Sequence, residues 1–248
     1  MGISAAAAER QQPFRDARGE GAIVFDPVRL RQAGPEMLQT AHYGDTAEPV
    51  SAGGRGAAWF VRAGATDAVL RHYRRGGLAA RFSQDRYLWL GEARVRSLAE
   101  YRLLSELRGE QLPVPAPLVA GYWRRGLGYQ AAILVERIPS VRPLADWLGS
   151  DVAAAPWEAT GAMLAKFHLA GLDHADLNAS NVLVDSTGKA WLVDFDRCRR
   201  RAGSQWRQGN LDRLARSLAK LSHGDAGWRP GYARLMAAYG IAMKDSGR

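Results

Sequence analysis

One cysteine, Cys198, is all that the 248 residues contain. Without a second thiol the chain has no intrachain disulfide framework and no metal site built from cysteines, and a reducing compartment is expected. Long apolar runs are missing too. The longest uncharged stretch, residues 112–123, is interrupted by proline and falls far short of the ~20 apolar residues a spanning helix needs. The run Ala5–Ala8 is too short for a signal-peptide core, so a soluble or peripherally bound protein is expected. Acidic residues are the scarcer charge: 25 Asp and Glu face 34 Lys and Arg, a formal net charge of +9. That excess favours polyanionic partners such as nucleotides, phospholipids, phosphorylated sugars or nucleic acid. With 47% hydrophobic and 24% charged residues, the composition is that of a folded globular protein.

What the chain does have is a change of character along its length. Residues 1–21 read as a flexible tail. Residues 57–61 and 68–73 are strand-like runs joined by a Gly-containing turn, which predicts an antiparallel hairpin. Leu98, Tyr101, Leu104 and Leu107 recur at helical spacing within a helix predicted over 92–108. Pro113, Pro115 and Pro117 then prevent helix, and a strand is expected over 130–135. Further on, a helix is expected over 156–171, with Pro at its start and Gly just past its end. A second hairpin flanks Asp185–Lys189, and a helix is expected from Asn210, where Leu211, Leu214, Leu218 and Leu221 repeat at three- and four-residue steps. A strand-rich front and a helical back predict an α+β protein of two lobes: a nucleotide lobe over 22–135 and a reduced helical lobe over 136–248.

The chemistry is concentrated in His174-Ala-Asp176-Leu-Asn-Ala-Ser-Asn181 and in Val193-Asp194-Phe195-Asp196. Asp176 and Asn181 lie on a loop between a helix and the second hairpin. Asp194 ends that hairpin, so the chain returns Asp194 to the neighbourhood of Asn181. Two carboxylates and a carboxamide at one point suit a hard cation such as Mg²⁺ held together with substrate phosphates. They also suit phosphoryl transfer, with one Asp taking the acceptor's proton.

These segments resemble the catalytic and metal loops of the protein-kinase-like superfamily. With Leu70–Gly77, Leu192–Cys198 and Asn210–Leu218, the chain resembles more narrowly the bacterial lipopolysaccharide kinases that phosphorylate 3-deoxy-D-manno-octulosonic acid (Kdo). The resemblance implies a bilobal kinase-like fold with ATP between the lobes and a hinge near residues 136–138. It implies Asp176 as the base or hydroxyl-orienting group, and Asn181 and Asp194 as the groups that bind Mg²⁺. By position, Gly53, Gly54 and Gly56 would cover the nucleotide phosphates. Arg71 would hold those phosphates where most kinases have lysine, with Glu100 fixing it and Glu92 as the rival partner.

The implied reaction is phosphorylation of the 4-hydroxyl of Kdo on a lipid A precursor. The implied location is the cytoplasmic face of the bacterial inner membrane, with the protein bound peripherally. Asp196 in place of glycine after Asp194-Phe195, Asn178 in place of lysine, and a short basic segment in place of an activation segment argue against a protein substrate. The segment from Arg71 to Arg96 interleaves arginines with Phe82, Tyr87, Leu88 and Trp89, which suits an anionic membrane surface; no nucleic-acid module is present. The rival readings are a heptose kinase or other small-molecule phosphotransferase of the same fold, a catalytically silent kinase-like module that binds anionic lipid, and a basic nucleic-acid-binding protein.

Overall fold

The computed structural model describes residues 9–50, 58–74 and 86–245, and the chain divides into two compact units. The first comprises residues 1–110 and 115–137; the second comprises 111–114 and 138–248.

The first unit is built on a sheet. Its elements in order are β1 (Arg10–Asp16), β2 (Gly19–Phe25), β3 (Glu48–Pro49), β4 (Ala58–Ala63), β5 (Thr66–His72), β6 (Tyr87–Leu88), α1 (Arg96–Gly109), β7 (Pro117–Arg125) and β8 (Gly128–Glu136). Among the described residues eight strands form one sheet, in the order β1-β2-β7-β8-β5-β4-β3, with β6 pairing β8 off that path. All neighbours are antiparallel. Ile23, Phe25, Val61, Leu70, Val119, Trp123 and Leu134 form a buried cluster with Leu38 and Tyr43. Helix α1 packs on β7 and β8, burying Leu98, Tyr101, Leu104 and Leu107. Within it the Ser97 hydroxyl donates to the Gly121 carbonyl of β7 at 2.9 Å, which pins the first turn of the helix to the sheet.

Residues 10–21, expected as tail, are instead strand β1 and the start of β2. Strand β1 is almost wholly exposed, so no apolar alternation betrays it. It is held by its main-chain ladder to β2 and by Phe14, which meets the Trp123 ring edge-on at 5.6 Å. The hairpin turn is closed by Asp16, whose carboxylate accepts from the Arg18 backbone at 2.8 Å and from Trp123 Nε1 at 2.9 Å. Strand β7 likewise begins at Pro117, a residue that marks only the absence of helix.

The second unit contains β9 (Val141–Pro143), α2 (Leu144–Leu148), α3 (Trp157–Leu169), β10 (Leu172–Asp173), β11 (Val182–Asp185), β12 (Ala190–Leu192), β13 (Arg199–Arg200), α4 (Gln205–Leu221) and α5 (Trp228–Asp245). Strands β9, β11 and β12 form one small sheet, and β10 pairs β13. Residues 111–114, expected with the nucleotide lobe, belong here. The Pro113 carbonyl accepts the Leu192 N–H at 3.0 Å; proline loses its donor but keeps its acceptor.

Helices α3 and α5 cross closely at two glycines. A Cβ on Gly161 would lie 2.1 Å from the Leu235 carbonyl oxygen, and one on Gly231 would lie 2.2 Å from the Trp157 ring. Leu235 and Trp157 are fully buried at this crossing. Among the described residues no helix is long and apolar enough to cross a membrane.

Candidate active site

In the second unit the loop between α3 and β11 carries the expected constellation. Asp173, at the end of β10, pairs with Arg199 of β13 and starts the loop. Asp176 is exposed, whereas Leu177 and Ala179 beside it are buried. The Asp176 carbonyl accepts two side-chain amides, Asn181 Nδ2 at 2.9 Å and Asn178 Nδ2 at 3.1 Å. The Asn178 oxygen in turn accepts the backbone N–H of Ser180 at 2.9 Å and of Asn181 at 3.1 Å. The loop is thus wound around its own asparagines, an arrangement that Asn and Asp favour because a short side chain can stand in for the backbone. It is pinned from outside by the Ser217 hydroxyl of α4, which accepts the Ala179 N–H at 3.2 Å, and by Ala145, which donates to the Ala179 carbonyl at 3.1 Å.

Asp194 reaches the same loop through its neighbour. The Val193 N–H donates to the Asn181 carbonyl at 3.0 Å, so the hairpin returns the chain to Asn181 as the spacing requires. The Val193 carbonyl accepts from His174 Nε2 at 3.2 Å. Asp194 sits at φ +64°, in the left-handed region that few non-glycine residues adopt and that Asp and Asn tolerate best. Phe195 is buried, edge-on to the His174 ring at 5.3 Å.

His174 is the brace of this arrangement. It is buried, and burial pushes its imidazole below the ordinary histidine range, against the opposing pull of the Val193 carbonyl and of Asp194 and Asp176. A neutral ring with its proton on Nε2 satisfies the Val193 carbonyl. Nδ1 then carries no proton, and it has no hydrogen-bond partner among the described residues.

Behind the loop lies a support that the sequence reading leaves without a role. Asn210, buried near the start of α4, accepts the His174 N–H at 2.9 Å and donates to the Asp173 carboxylate at 2.8 Å. Arg213 donates to the His174 carbonyl at 3.3 Å. A polar residue four positions before Leu214 and eight before Leu218, on the apolar face of α4, is the signal that marks Asn210. The basic segment after Asp196 is partly committed: Arg199 and Arg201 pair with Asp173 at 3.7 and 3.2 Å, and Arg200 bonds the Ala170 carbonyl. Arg197 is exposed, at φ +64°.

The first unit supplies the other candidate groups. Arg71 near the end of β5 lies opposite Ala58 of β4 and Ile133 of β8. Its Nη2 is 2.5 Å from both oxygens of Glu100. Glu100 is buried on α1 and also accepts from the Tyr73 hydroxyl. The Arg71 guanidinium stands 5.0 Å from the centre of the Tyr73 ring. Glu92, the rival partner, is occupied elsewhere: it accepts from Tyr122 at 2.6 Å and from Gln11 at 2.8 Å. Gly53, Gly54 and Gly56 lie outside the described residues, as do Arg75, Arg81 and Phe82 of the basic stretch.

The donor set fits a hard cation only in company. Among the described residues no group of three or more His, Cys, Asp or Glu side chains is placed to hold a metal. Asp194 and Asn181 offer a carboxylate and a carboxamide oxygen. Because Asn181 Nδ2 is committed to the Asp176 carbonyl, its oxygen is the atom left for an ion. Two protein oxygens with phosphate oxygens and water completing the shell is how Mg²⁺ is ordinarily held.

Known proteins align with this chain over most of its length. The model of the lipopolysaccharide kinase (Kdo/WaaP) family matches residues 42–239. A 3-deoxy-D-manno-octulosonic acid kinase of Xanthomonas euvesicatoria pv. vesicatoria is 54% identical over 245 residues, covering 97% of this chain and 98% of its own. A kinase of the same name from Stenotrophomonas maltophilia is 53% identical over 237 residues, covering 94% and 95%. Among solved structures, WaaP in complex with acyl carrier protein superimposes with a TM-score of 0.53 at 13% identity, over 89% of this chain and 90% of that one. At that identity the likeness speaks to fold alone, and the fold is the kinase-like α+β fold.

Proposed function

We propose that this chain, which belongs to the lipopolysaccharide kinase (Kdo/WaaP) family and is an ATP-dependent phosphotransferase, transfers the γ-phosphoryl group of ATP to the 4-hydroxyl of Kdo on a lipid A precursor. The acceptor reading is supported by the name of relatives more than half identical over nearly the whole chain. The observation that carries the catalytic reading is the bonded loop in which Asn181 ties Asp176 on one side and Val193, next to Asp194, on the other.

In this reading the exposed Asp176 carboxylate orients the acceptor hydroxyl. It takes the hydroxyl proton as the new O–P bond forms and the bond to the β,γ-bridging oxygen of ATP breaks, releasing ADP. Asn181 and Asp194 hold Mg²⁺, which when bound neutralises charge on the phosphates. Arg71, kept in place by Glu100 and Tyr73, holds nucleotide phosphate; its planar fork suits phosphate oxygens. The neutral His174 fixes the backbone from which Asp194 projects. The protein acts as a peripheral protein at the cytoplasmic face of the inner membrane, where the lipid acceptor is assembled.

The test is incubation of the purified protein with Mg-ATP and Kdo-linked lipid A precursor. The expected product carries one added phosphoryl group, placed on the Kdo 4-oxygen by phosphorus–proton correlation spectroscopy. Phosphorylation only of a heptose-containing acceptor, or of a different Kdo hydroxyl, overturns the assignment.

A further inference from the structure

We infer that the exposed end of the first unit's sheet, where β6 meets the β7–β8 turn, is an insertion surface for an anionic lipid bilayer. The inference deepens the peripheral-membrane reading above and rests on it for its occupant. Around β6 the aromatic residues are turned to the sheet. Tyr87 is buried and stacks on Tyr129 at 5.5 Å. Trp89 lies against Tyr122 at 5.1 Å and Tyr129 at 6.0 Å, with the Arg124 guanidinium 4.9 Å from its ring centre. The interleaved leucines are left out: Leu88 and Leu90 are each 57% exposed. The turn adds Leu127, 83% exposed. Leu88 is paired with Gly128, and the Leu127 carbonyl accepts the Trp89 N–H at 2.9 Å, so the three leucines belong to one corner of the sheet. Among the described residues the other exposed large apolar side chains, Val28, Val50, Leu169, Leu221 and Ile241, are spread over separate segments of the chain.

The charge around this corner has one dominant sign. Arg86, Arg94 and Arg125 are exposed there, and Arg124 is part of it. Among the described residues the acidic groups alongside are Glu20, paired with Arg15 at 3.0 Å and Arg124 at 3.7 Å, and Glu92, which keeps its charge while accepting from Tyr122 and Gln11, so the arginines outnumber them. Protein–protein hot spots rely on aromatic and arginine anchors, and here Tyr87 and Tyr129 are buried and Trp89 is half-buried against Tyr122 and Tyr129. Three exposed aliphatic side chains at one corner, with arginines in the neighbouring sequence positions, match a bilayer instead: leucine enters the acyl boundary while arginine stays among headgroup phosphates. Of the described residues interleaved there with arginine, Tyr87 and Trp89 pack on the sheet and Leu88 is exposed, so the inserting groups are Leu88, Leu90 and Leu127.

The experiment measures partitioning of the full chain onto vesicles of phosphatidylcholine alone and of phosphatidylcholine mixed with phosphatidylglycerol, at low and high salt. The Leu88→Asp/Leu127→Asp variant is compared with wild type. Wild type is expected on the anionic vesicles, with a fraction that resists salt because burial of leucine is not screened. The variant is expected to bind roughly tenfold or more weakly and to lose the salt-resistant fraction. Its thermal midpoint and its phosphorylation of a water-soluble Kdo glycoside are expected to stay at the wild-type level, since both leucines are exposed. Equal binding of variant and wild type overturns the insertion surface and leaves the peripheral reading standing. Wild type that ignores anionic vesicles overturns both. A wild-type dimer that the variant splits in sedimentation overturns the lipid occupant in favour of a second copy of the chain.

Discussion

Arg71 meets Glu100 through Nη2, which lies 2.5 Å from each carboxylate oxygen. The carboxylate is buried and shared with the Tyr73 hydroxyl, so Glu100 has little freedom to release its cation. Replacing Glu100 by Gln removes the charge that fixes Arg71. Loss of a charge-assisted pair of this kind costs about 1.5–3 kcal/mol, or roughly 10–100-fold. The KM for ATP is expected to rise by that factor while acceptor KM stays within a few-fold. An unchanged KM for ATP removes the pair from nucleotide holding.

Asp176 is exposed and its backbone carbonyl, not its carboxylate, holds the loop together. Asp176→Asn therefore leaves the loop's bonds in place. Turnover is expected to fall about 10²–10⁴-fold, the usual worth of a positioned base, with nucleotide affinity nearly intact. Steady-state rates beside a nucleotide titration check it; retention of half the wild-type turnover takes Asp176 out of the mechanism.

At Asp194 the informative change is to Asn, which tolerates φ +64° as Asp does but carries no charge. Activity is expected to be lost, and affinity for Mg-ATP to fall more than affinity for metal-free ATP, in calorimetric titrations with and without Mg²⁺. Equal losses mark the residue as structural.

Asn210→Leu is close in volume but leaves the His174 N–H without its partner and takes one donor from the Asp173 carboxylate, which keeps Arg199 and Arg201. An orphaned buried polar group costs about 1–3 kcal/mol. The midpoint in urea is expected to fall accordingly, and turnover to fall with it because His174 fixes the backbone ahead of Asp194. A variant that loses neither shows that the support is dispensable.

His168, buried on α3, is lowered from the usual histidine value to about 4, by burial first and by the Arg207 charge second, against the opposing pull of Asn210 and Asp173. Its Nδ1 is 2.8 Å from the Tyr239 hydroxyl of α5. Because the folded state resists protonation, the unfolded chain takes up the proton first as pH falls. Stability is full above about pH 6.5 and is lost progressively down to pH 4, by roughly 3 kcal/mol. Thermal midpoints across this range are expected to fall in wild type and to fall less in His168→Gln. Parallel curves remove His168 as the source.

The sequence discloses this protein unevenly, and the reasons are physical. The helices α1, α3 and α4 bury one apolar face, so their spacing is visible, and the loop chemistry of Asp176, Asn181 and Asp194 is written in residue types. Strand β1 is not visible, because an exposed edge strand is specified by main-chain pairing and one aromatic contact. The preference for Glu100 over Glu92 is legible, because Glu100 precedes the apolar run of α1, and the structure pairs Glu100 with Arg71 while Glu92 bonds Tyr122 and Gln11. Asn210 is legible in retrospect as a polar residue on an apolar face, but its partners are brought to it by tertiary structure.

The crossing of α3 and α5 at Gly161 and Gly231 bears on how the second unit comes into being. Trp157 lies against Gly231 and the Leu235 backbone against Gly161 there, although Trp157 is in the first long helix of the unit and Leu235 is close to its last described residues. During synthesis the catalytic loop leaves the ribosome well before α5 does. Until α5 arrives, α3 lacks the helix that packs on it most extensively, and non-local contacts of this kind form late. The core of the helical unit is therefore complete only once its final segment is made, and a nascent chain halted before Leu235 already holds Asp176, Asn181 and Asp194 but lacks the helix that packs on α3.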